Sequence, residues 1–79
     1  MKIGDLVLIT WIDAVSHDAW TAAHDAQMHP AEIKTLGFLF ELEKTHVTVV
    51  QSIDQENHAV AGIFCVPKGM VKHIKKLKC

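Results

Sequence analysis

AVAGIFCVPKGMVKHIK, residues 59–75, holds the two strands on which the architecture turns. Residues 59–66 carry no charge and read as a strand bounded by polar turn residues. Pro67-Lys68-Gly69 then forms a tight turn. Met70, Val71 and Ile74 follow, interleaved with Lys72, His73 and Lys75, and read as a last short strand over 70–75. An uncharged strand at the rim of a sheet is a template for pairing with another chain. Residues 59–66 are therefore expected to pair with the last strand of a neighbouring copy. Ile63, Phe64, Val66 and Val71 are the interface residues of that seam.

Upstream, residues 5–14 are dominated by β-branched and aromatic side chains and predict strand one. Leu6, Leu8, Thr10 and Ile12 share one face, and Val7, Ile9, Trp11 and Asp13 the other. Both faces are largely apolar, so neither is expected to be fully solvated. Residues 15–32 read as a long loop carrying a helical turn or two, which must stop before Pro30. Strand two is expected over 33–43, with Leu36, Phe38, Phe40 and Leu42 as its core face. Gly37 within it marks a bend or a close backbone approach. Strand three is expected over 46–53 with Val47, Val49 and Ile53 inward, followed by the polar turn DQENH.

Five short strands, a long first connection and a one-turn break before the last strand predict a mainly β fold. The specific expectation is a small five-stranded antiparallel barrel of SH3-like or Sm-like type. Residues 1–79 form a single domain with no repeat or linker. A domain this small buries only about 60% of its unfolded surface, so partner subunits are a natural source of extra stability. No apolar run approaches the roughly 20 residues that cross a bilayer, and the N-terminal run, with Asp5 early in it, lacks the features of a signal peptide. A soluble, cytoplasmic protein with no membrane partner is expected.

A more particular pattern lies in Trp11-Ile12-Asp13-Ala14, Trp20, TLGFLFE over 35–41, QSID over 51–54 and the ending VPKGMVKHIKKL over 66–77. Together these resemble small proteins of tailed bacteriophages and cyanophages, some of them Sm-like. The resemblance implies a phage-encoded, ring-forming barrel acting in the infected host cell. It does not extend to the RNA site of cellular Sm proteins. Those use an Asp/Asn pair after strand two and an Arg-Gly turn before strand five. Here the corresponding segments are Glu43-Lys44-Thr45-His46 and Pro67-Lys68-Gly69.

Net charge is −1, but five of the eight lysines fall in the last twelve residues and all nine acids precede them. Arginine, which supplies the bidentate fork for phosphates, is absent. Repeated around a ring, Lys68, Lys72, Lys75 and Lys76 would form an anion patch, with Trp20 as a stacking residue for RNA or a nucleotide. Six histidines are present, three of them with Asp18 and Asp25 in the first loop. Their spacings of seven and five are not those that place two ligands on one helical face, so no metal site is expected. Cys65 sits in an apolar run with nothing to activate it, reads as a small buried hydrophobe, and is not expected to bridge Cys79. No cofactor motif or catalytic constellation is present, and an enzyme is not expected. The leading expectation is a homo-oligomeric binding module that takes up nucleic acid. The alternatives are a counter-defence protein holding a small nucleotide between subunits and a structural assembly protein without ligand.

Overall fold

The computed structural model describes residues 1–16 and 18–78. The strands are β1 (Leu6–Asp13), β2 (Ala31–Leu42), β3 (His46–Asp54), β4 (Ala59–Pro67) and β5 (Val71–Lys76). All five join one antiparallel sheet in the order β4-β3-β2-β1-β5. One 3₁₀ turn, Ala23–Asp25, lies in the long β1–β2 connection, and a second, Lys68–Met70, links β4 to β5.

The sheet is open, which corrects the expectation of a closed barrel. β4 and β5 are its two edges and do not pair with each other. The sheet is nonetheless strongly curled. A three-residue turn suffices to carry the chain from one edge to the other. The Trp11 and Phe64 rings lie 5.5 Å apart, although two strands separate β1 from β4 in the sheet. The concave face holds the core: Val7, Ile9, Leu39, Val47, Val49 and Val66 are buried, with Trp11, Met70, Val71 and Ile74 packed against them. Trp11 also donates its indole N–H to Thr35 Oγ1 at 3.0 Å, satisfying its polar end.

Up to Leu39, strand two is inverted relative to its predicted face. Leu36, Phe40 and Leu42 are exposed at 48%, 42% and 40%, while Gly37 and Leu39 are buried. Ahead of any irregularity, Gly37 pairs with the core residue Val7 and Leu39 with the core residue Val49, which places Leu36 and Phe38 on the other face. The β2–β3 register then shifts between Leu39 and Glu41, a bulge that breaks the two-residue alternation, so that Leu42 pairs with the core residue Val47. A Cβ on Gly37 would lie 3.0 Å from Val49 Cβ, so glycine permits the close approach of β2 to β3 here. Ile53, expected inward, is exposed because β2–β3 pairing ends at Phe38–Val50 and the β3–β4 hairpin continues alone. Cys65 is likewise exposed, not buried, on an edge strand.

Gln51 fastens the hairpin where that backbone pairing ends. Its side-chain amide donates to the Leu36 carbonyl at 2.8 Å. Gly62 has a positive φ of 70°, and a Cβ there would meet Gln51 Cβ at 2.7 Å. Glycine at 62 therefore leaves the space the Gln51 side chain occupies.

Candidate functional site

Two open clefts lie among the described residues. A shallow one of about 350 Å³ lies among Thr21, Asp25, Ala26, Gln27 and Met28, and one of about 260 Å³ lies beside Ser52, Asp54 and Ala59–Ala61. Among the described residues no group of three His, Cys, Asp or Glu side chains is gathered as for a metal ion. Among the described residues no helix is long and apolar enough to cross a membrane. His17 and Cys79, which entered the metal and disulfide readings, lie outside the described residues. What the fold presents instead is two strand edges, one apolar face and one arm.

The edges follow from the topology. β4 offers nine residues without a charge along one rim, and β5 offers six residues, three of them lysine, along the other. Of the predicted interface residues, Ile63 is the most exposed at 62%, and Phe64 is 38% exposed with its ring against Trp11. Val66 is buried in the core and Val71 packs against it.

The convex face opposite the core is apolar at its centre. Strand register places Leu6, Phe38, Val50 and Ile63 in one row across four strands, Val50 being fully buried within it, with Leu8 and Leu36 paired beside it. Leu36 and Ile63 stand well out into solvent. Basic residues border this patch. Lys34 and His73 flank Thr10 from β2 and β5, and Lys75 pairs with Leu8.

The predicted lysine contacts divide into two groups. Lys72 Nζ lies 2.8 Å from Glu32 Oε1, and Lys76 Nζ lies 3.6 Å from Asp5 Oδ2. The Lys72 hydrogen bond holds the Glu32 carboxyl below its ordinary value, with the nearby charges of Lys72, Lys34 and His73 adding to it. Asp5 is lowered first by the Lys2 backbone N–H and then by the charge of Lys76. Lys68 and Lys75 have no carboxylate partner among the described residues. The patch foreseen on the tail is thus half neutralised. The part that remains extends onto β2 through Lys34, which the tail-centred reading missed. The signal was there in the sequence: Glu32, Lys34, Leu36 and Phe38 share one strand parity.

Trp20 is fully exposed, at 102%. It lies in the β1–β2 connection, residues 14–30, every described member of which is exposed. Compared with family models, curated proteins and solved structures, the chain matches none.

Proposed function

We propose that this protein is a non-enzymatic module that assembles edge to edge, β4 of one copy pairing with β5 of the next, into a ring of Sm-like type. The observation that carries the reading is the pair of free antiparallel edges on one curled sheet. A head-to-tail contact of this kind closes into a ring when its rotation closes. β4, uncharged over nine residues, has none of the lysines that usually blunt an exposed edge. The three-residue β4–β5 turn and the Trp11–Phe64 contact support a barrel-like curl of the Sm or SH3 kind. The phage resemblance supports the same reading. Its ligand is nucleic acid, bound where Lys68 and Lys75 repeat around the ring.

Size exclusion with light scattering tests the assembly. A mass several times 8.8 kDa is expected, and 8.8 kDa at every concentration overturns it. Anisotropy of labelled single-stranded RNA tests the ligand. Binding that weakens steeply with salt is expected, and no binding at low salt rejects nucleic acid while leaving the assembly standing.

A further inference from the structure

Two unpartnered features in this molecule are complementary. The first is the arm, residues 14–30. It joins β1 to β2 beyond the Asp13–Ala31 pair and is exposed at every described residue, with Val15, Trp20 and Met28 among its apolar side chains. Its backbone hydrogen bonds among the described residues are internal, from Asp25, Ala26 and Gln27 to residues 22, 23 and 25. It stands away from the sheet: the molecule measures 56 × 25 × 22 Å, and its radius of gyration of 16.3 Å exceeds the roughly 12 Å of a compact chain this long. The arm contains Asp18 and Asp25, three histidines and no lysine, with His24 Nε2 3.4 Å from Asp25 Oδ2. The second feature is the convex face, apolar through Leu36, Phe38 and Ile63 and bordered by Lys34 and Lys75.

We infer that the arm of one copy docks on the convex face of another, Trp20 over the apolar row and the arm's aspartates against Lys34 and Lys75. Charge selects this occupant. Two convex faces meeting each other would bring together surfaces on which Lys34, Lys72 and Lys75 outnumber Glu32, whereas the arm's aspartates match a basic-bordered apolar patch. A solvent-facing tryptophan is the kind of residue that anchors an interface once it is covered. The inference rests on the self-association proposed above, but it uses a different surface from the strand edges.

The test uses Trp20 as reporter in the full chain carrying Trp11→Phe, with circular dichroism verifying the fold. As concentration rises, Trp20 emission is expected to shift to the blue. Asp18→Lys with Asp25→Lys abolishes the shift, and so does Lys34→Glu with Lys75→Glu. The deciding arm is a mixture. Trp20→Ala chains have an intact face, and Lys34→Glu/Lys75→Glu chains have an intact arm. Refolded together, they are expected to recover the blue shift that neither shows alone, which only docking between copies can produce. Emission that stays solvent-like in a light-scattering oligomer overturns the inference and leaves edge pairing standing. A blue shift independent of concentration, without recovery in the mixture, overturns it in favour of the arm folding on its own chain. A monomer at all concentrations overturns both. Should Trp11→Phe fail to fold, hydrogen exchange over residues 14–30 of the wild type reads the same docking. Protection is expected in the assembled state, and its absence there overturns the inference.

Discussion

At the scale of single residues, Gly62 and Gln51 act as a pair. Backbone pairing between β2 and β3 stops at Phe38–Val50, and Gln51 continues the connection by donating to the Leu36 carbonyl. The space for its side chain exists because residue 62 has no Cβ, and the φ of 70° there is the left-handed region that glycine occupies without strain. Gly62→Ala must therefore strain the backbone and displace Gln51 together. Each effect is of order 1–3 kcal/mol. Urea denaturation should show a loss of about 2 kcal/mol or more, against about 1 kcal/mol for Gln51→Ala, which removes only the hydrogen bond. Equal small losses for the two variants would mean that the Gln51 side chain moves aside freely. This role was not legible in the sequence. The partner is eleven residues away and is brought opposite only by the β3–β4 register.

Among the elements, strand existence and order were legible, because turn chemistry at 43–46, 54–58 and 67–69 punctuates the apolar runs. The buried face of β2 was not. Leu36, Phe38, Phe40 and Leu42 outweigh Gly37 and Leu39 in apolar bulk, so alternation alone selects the wrong side. The curl demands the small residue inside, and the bulge after Leu39 shifts the phase of the residues beyond it. The same question of face separates two adjacent β4 residues. Phe64 faces the core side and meets Trp11, whereas Ile63 points to the convex side at 62% exposure. Ile63→Lys should keep near-native circular dichroism while lowering the mass of the assembly, because it charges an edge without touching the core. Phe64→Lys should lose the cooperative melt, since it sets a charge against the Trp11 ring. An Ile63→Lys protein of undiminished mass would show that β4 is not the contact edge.

For the whole molecule, β5 is both the proposed contact strand and the strand most dependent on ion pairs. Lys72 ties it to Glu32 of β2, and Lys76 ties it to Asp5 ahead of β1. Both carboxyls are held below their ordinary values. A carboxyl depressed on folding contributes stability above its unfolded value and loses it as pH falls through the folded one. The window thus opens near the ordinary carboxylate range, roughly pH 4, and extends below it. Exposed pairs contribute little to global stability, so the core of valines, Ile9 and Leu39 should hold while β5 loosens. Assembly mass should then be steady down to about pH 5 and fall below about pH 4, and hydrogen exchange in 71–76 should rise before that of β3. Histidine charging is the competing cause: six histidines would carry the chain from −1 to +5 if all gained a proton, and copies would repel. Light scattering across pH 7 to 3 separates the two, and a mass that declines from pH 6.5 onward would assign the dissociation to histidine and not to the β5 ion pairs.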